Sequence, residues 1–106
     1  MEVRLKQFAF KPRGKKAWLR WSRYLKAHKS AVIKSLENEA VLLEACFISA
    51  DDHLYYLIVS RNLGASRRAA AKSVRPIDVR HRRVLLSTLR EIGELRSLFV
   101  LSAENH

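Results

Sequence analysis

Two apolar runs separated by a pair of acids constrain this chain more than anything else in it. Ala40 to Ala50 is apolar apart from Glu44 and Ser49, His53 to Ser60 repeats the pattern, and only Asp51 and Asp52 lie between. Segments of this length, rich in β-branched and aromatic residues and joined by a short polar pair, predict a hairpin. Successive side chains of a strand point to opposite faces. Leu42, Cys46 and Ile48 therefore oppose Val41, Leu43, Ala45 and Phe47, and both faces are apolar. A sheet of this kind must be covered on both sides, and one layer of helices covers only one.

The remaining segments supply that layer. Val3 to Phe10 reads as a first strand, with Val3 and Leu5 on one face and Phe8 and Phe10 on the other. Lys11-Pro12-Arg13-Gly14 breaks it, and Trp18, Trp21, Leu25, His28, Val32 and Leu36 then recur at helical spacing, predicting a helix from Lys15 to Leu36. After the hairpin, Ala65 to Ser73 reads as a short helix interrupted by Arg75-Pro76. A second helical stretch follows through Ile77, His81, Val84, Leu85, Thr88, Leu89 and Ile92, with Asp78 placed to cap its free amides and Gly93 to end it. Leu95 to Ser102 alternates as a final strand.

The order β-α-β-β-α-β predicts an α+β, ferredoxin-like domain: a four-stranded antiparallel sheet with both helices on one face. A chain of 106 residues holds one such domain, 1–106. The apolar face left bare predicts a homodimer packed sheet to sheet.

Charge maps onto this plan. Eighteen of the 21 Lys and Arg residues fall in Lys11 to Lys34 and Arg61 to Arg90, which contain a single acid, Asp78, and the chain carries a net charge of +11. Adjacent basic helices would form a positive face, with Arg20 and Arg23 on one helix and Arg82 and Arg83 on the other as candidates for contact with nucleic acid or another polyanion or acidic partner. A solvated surface that keeps a basic protein soluble explains the same charge. The third strand, His53-Leu54-Tyr55-Tyr56-Leu57-Ile58-Val59, lacks the aromatic RNA-binding signature. The lone Cys46 excludes an internal disulfide and reads as a packed thiol. No apolar run approaches the ~20 residues of a membrane-spanning helix. The expectation is a soluble, cytoplasmic protein without membrane contact.

No catalytic signature names a reaction. Glu44 is the anomaly, because an unpaired carboxylate in a central apolar strand is costly. His81 and His28, on the apolar sides of the two helices, are its candidate partners. Glu44 and His81 with Tyr55 nearby would offer an acid, a base and a hydrogen-bond donor in a helix-to-sheet cavity, so Glu44, His81 and Tyr55 are the catalytic candidates and His28, Glu44, Tyr55 and His81 the candidate lining of a small-molecule site. The simpler reading of Glu44 is a structural carboxylate held by an arginine or lying at a dimer seam. His28, His81 and Glu44 form a chemically sensible metal set, but no local spacing supports it. No metal and no cofactor is expected. Trp18 and Trp21 lie on the apolar stripe and read as core.

The segments Ser35-Leu36-Glu37-Asn38-Glu39, Leu43-Glu44-Ala45-Cys46-Phe47, Leu54-Tyr55-Tyr56 and Asp78-Val79-Arg80-His81 together resemble the domain-of-unknown-function family 6176. The resemblance runs from the first strand through about Glu91 and implies a dimeric α+β barrel of ferredoxin-like subunits. It makes Glu37, Glu39, Glu44, Tyr55, Asp78 and His81 the family's recurrent polar positions, and it brings no reaction. Arg82-Arg83-Val84-Leu85 departs from the acidic and aromatic residues expected there.

Overall fold

The computed structural model describes residues 1–103. The chain forms an α+β fold in the order β1 (Glu2–Phe10), α1 (Gly14–Ala27), α2 (Lys29–Asn38), β2 (Val41–Ile48), β3 (His53–Ser60), α3 (Leu63–Lys72), α4 (Pro76–Thr88) and β4 (Leu89–Leu95). The strands make one antiparallel sheet in the order β2-β3-β1-β4. The hairpin turns at the aspartate pair, where Asp52 takes a left-handed conformation (φ 61°) and its N–H donates to the Ser49 carbonyl.

Register decides which side chains meet the helices. Phe8 pairs with Leu54, Lys6 with Tyr56 and Arg4 with Ile58, while Glu44 pairs with Ile58 and Cys46 with Tyr56. Partners opposite each other share a face, so these residues line one side of the sheet. The core forms on that side from Phe8, Trp18, Trp21, Leu54, Tyr56 and Leu89. Trp18 and Trp21 are 2% and 3% exposed, so the tryptophan pair is core as its spacing predicts. Ser66 of α3 meets the buried Ser60 of β3 through a 2.6 Å hydroxyl pair, which ties α3 to the same face. The opposite face leaves Leu43, Phe47 and Leu95 exposed, at 49%, 57% and 42%.

Several boundaries differ from the sequence reading. The predicted helix from Lys15 to Leu36 is two helices broken at His28 (φ −116°, ψ 43°), whose N–H donates to the carbonyls of Tyr24 and Leu25 and whose ring lies stacked on Tyr24 at 3.8 Å. The apolar spacing continues across the break, so periodicity alone does not reveal it. The helix predicted to run to Gly93 ends at Thr88, and the last strand is Leu89–Leu95 rather than Leu95 to Ser102. The reason is long-range pairing: Leu89 sits opposite Phe10, and Lys11 N–H donates to the Thr88 carbonyl. Gly93 lies beside a register shift in the β1–β4 ladder, which fits the bulges that isolated strand glycines mark. Asp78 does not cap amides; its carboxylate accepts from the Ser73 hydroxyl and lies 3.9 Å from Arg75 Nε. Leu42 falls at a register shift in β2 and is exposed. Cys46 is exposed on the edge strand rather than packed.

Gly14 opens α1 against the end of α4. A Cβ there would lie 2.3 Å from the Thr88 carbonyl oxygen, so only glycine allows this approach.

Candidate ligand site

The buried side of the sheet is organised by a chain of side chains from four elements. Trp21 of α1 donates its indole N–H to Nδ1 of His81 on α4 at 2.8 Å. Nε2 of His81 lies 2.9 Å from the hydroxyl of Tyr56 on β3. That hydroxyl in turn donates to Oε1 of Glu44 on β2. An indole N–H can only donate. His81 Nδ1 must therefore be the accepting nitrogen, the imidazole is neutral, and its proton sits on Nε2 facing the tyrosine oxygen. Every donor in the chain then points from Trp21 toward Glu44.

Burial reinforces this arrangement. The His81 ring packs against Trp18 and Trp21 at 6.0 and 5.9 Å, and its burial pushes its pKa down to about 4. Protonation would also turn an N–H against the indole N–H. Burial raises the carboxyl of Glu44 above the ordinary range, while the hydrogen bond from Tyr56 pulls it back. Tyr56 is held well above an ordinary phenol, first by burial and then by the charge of Glu44. Arg80 caps the outer side of the aromatic cluster, its guanidinium 5.1 Å from the Trp21 ring and 4.6 Å from Tyr24.

Glu44, Tyr56 and His81 open into a cavity of about 540 Å³ between the sheet and α3 and α4. Its wall mixes aliphatic side chains such as Val41, Ile58, Leu63 and Leu85 with Arg4, Lys6, Arg67 and Arg82 and with the acids Glu39 and Glu91. The size and the small number of convergent polar groups suit a small-molecule site. Glu39 is pushed up to about 7, chiefly by burial and then by the negative charges of Asp78 and Glu44. Arg82 is turned inward: it donates to the carbonyls of Ala70 and Ser73 at 2.6 and 2.8 Å, closing the C-terminal end of α3. No group of three or more His, Cys, Asp and Glu residues able to hold a metal occurs among the described residues.

The structure brings Glu44 and His81 together through Tyr56, not Tyr55. Tyr55 lies on the other face, where its hydroxyl accepts from Gln7 Nε2 at 3.3 Å. His28 is also apart, exposed at the α1–α2 break with Nδ1 donating to the Tyr24 carbonyl at 2.9 Å. Arg20, Arg23 and Arg83 are exposed on α1 and α4, whereas Arg82 is engaged beside the cavity. Two members of the site escaped the sequence reading. A buried tryptophan needs an acceptor for its N–H, which was a signal for Trp21. Arg4 shares its strand parity with Phe8 and Phe10, which already placed it on the helix side.

The family model that matches the chain spans residues 1–105. The chain belongs to the family of unknown function DUF6176. Among curated proteins, none matches its sequence. For this DUF6176 member the geometry of the cavity is therefore the guide to function. No helix of the described residues is long and apolar enough to cross a membrane.

Glu39 and His81 act oppositely on stability. Between its ordinary 4.5 and about 7, folded Glu39 keeps a proton that the unfolded chain has lost, so its contribution is lost as pH rises through that window. Between about 4 and its ordinary 6.5, His81 refuses a proton that the unfolded chain accepts, so its contribution is lost as pH falls. Glu39→Gln removes the first effect and exposes the second. In thermal melts, the variant is expected to lose more stability than the wild type on passing from about pH 7 to about pH 5; parallel profiles would show that Glu39 ionises normally.

Proposed function

We propose that the protein is a homodimeric, ferredoxin-like α+β-barrel protein that binds a small molecule in the cavity between helices and sheet. The observation that carries this reading is the cavity itself, with the hydrogen-bond chain from Trp21 ending on its wall at Glu44. A polar network that served packing alone would have no reason to end at an accessible space of this size. The arrangement supports binding first. A carboxylate held by a tyrosine and a neutral histidine also has the makings of a general base, and catalysis would build on that same contact.

The dimer reading rests on the sheet face opposite the helices, where Leu43, Phe47 and Leu95 are exposed. Apolar residues grouped on one sheet face are the common substrate of association. The cytoplasm is the compartment we propose, from the single thiol. An alternative function, contact with nucleic acid or another polyanion, is supported by the exposed Arg20, Arg23 and Arg83, but Arg82 is committed internally.

Two measurements check these readings. Ile58→Trp fills the middle of the cavity floor and is expected to weaken binding of an apolar fluorescent reporter about tenfold or more, whereas Arg20→Glu combined with Arg23→Glu leaves it unchanged. Loss in the arginine variant with none in Ile58→Trp would move the site to the basic face. Sedimentation equilibrium of the wild type is expected to give a dimer that Phe47→Glu splits into monomers; a monomeric wild type would remove the dimer.

A further inference from the structure

Among the described residues, the cavity wall carries one half-buried cation with no recorded partner. Lys6 is paired with Glu91 at 2.9 Å, Arg82 is bonded to the end of α3, and Arg67 is exposed. Arg4 is different, because its Nε is buried with no hydrogen-bond partner. Arg4 is half-buried and lines the cavity with no counter-charge recorded against it, and a guanidinium partly removed from water without one costs stability unless a ligand at its outer N–H groups completes it.

Register relates Arg4 to Glu44. Both pair with Ile58, Arg4 from β1 and Glu44 from β2, so the three residues form a row across the cavity side of the sheet. Two strand spacings separate their backbones by about 10 Å. No ion pair joins the two, and the apolar Ile58 lies between them in the row. Glu44 Oε1 is taken by the Tyr56 hydroxyl, which leaves Oε2 for a donor entering the cavity. A single guanidinium fork matches a carboxylate through two parallel N–H bonds. A more highly charged anion would meet Glu39, Glu44 and Glu91 in the same wall. A cationic donor at Glu44 would instead face a chain of net charge +11.

Resting on the reading that the cavity is a ligand site, we propose that it takes an apolar carboxylic acid bearing a hydroxyl at its far end, with the carboxylate on Arg4 and the hydroxyl donating to Glu44. The apolar body lies over Ile58. The Trp21–His81–Tyr56 chain fixes the Glu44 carboxylate so that its second oxygen stays available to the hydroxyl.

The test is calorimetric titration of the wild type, Arg4→Met and Glu44→Gln with 8-hydroxyoctanoate, octanoate, 1-octanol and 8-aminooctanoate. The wild type is expected to bind 8-hydroxyoctanoate about tenfold more tightly than either octanoate or octanol, since hydrogen bonds to charged groups are worth about that much. Arg4→Met should erase the advantage over octanol, and Glu44→Gln the advantage over octanoate. Removing the unpaired guanidinium should also raise the melting temperature of unliganded Arg4→Met, which a merely structural arginine would not do. Equal binding of octanoate and octanol, unaffected by Arg4→Met, would overturn the inference while the cavity remains a binding site. Tighter binding of 8-aminooctanoate would overturn the hydroxyl assignment. Failure of all four probes at millimolar concentration would overturn this inference and the cavity reading together.

Discussion

The bond between the Trp21 indole and Nδ1 of His81 is the constraint on which the site depends. It joins α1 to α4, and by occupying one nitrogen with a fixed donor it decides the state of the other. The remaining links then have only one polarity: histidine to tyrosine, tyrosine to carboxylate. Elements remote in sequence are thus held in one polar connection inside an aromatic cluster. A buried polar network is favourable when each member is satisfied and costly when one is not. Here the only end open to exchange is the carboxylate at the cavity wall, so the packing problem and the functional site are one arrangement.

The cavity follows from how the helices are laid down. α1 and α4 pack closely at the Gly14–Thr88 approach, and α3 is anchored through Ser66 and Ser60. Between these anchor points the sheet carries Arg4, Lys6 and Glu44, which are too polar to close a dry core, beside aliphatic residues that do not fill the space. Charges on the covered face of a sheet oppose stability. Their concentration around one opening, and not across the core, is what ties them to a ligand.

Much of the fold was legible in the sequence because each local signal agreed with the next. The aspartate pair marked the hairpin, Pro12-Arg13-Gly14 the end of the first strand, and the tryptophan spacing the core side of the first helix. The end of α4 was not legible, because Leu85, Leu89 and Ile92 keep helical spacing while Leu89 and Glu91 also alternate as a strand. Pairing of Leu89 with Phe10, far away in sequence, settles that ambiguity. The site divides along the same line. Glu44 and His81 could be matched because a carboxylate in an apolar strand requires a partner. Tyr55 and Tyr56 could not be told apart, since adjacent strand residues differ only in parity and parity is set by register with β1 and β2. His28 carried the same helical signal as His81, but the break at its own position turns it outward.

The site depends on a neutral His81 with its proton on Nε2, and nitrogen-15 NMR of the ring reads that state directly. At about pH 6, near the ordinary histidine pKa, the ring is expected to show one protonated nitrogen, Nε2, and one unprotonated, Nδ1. An imidazolium at that pH, or a neutral ring with its proton on Nδ1, would contradict the hydrogen-bond chain and the site built on it.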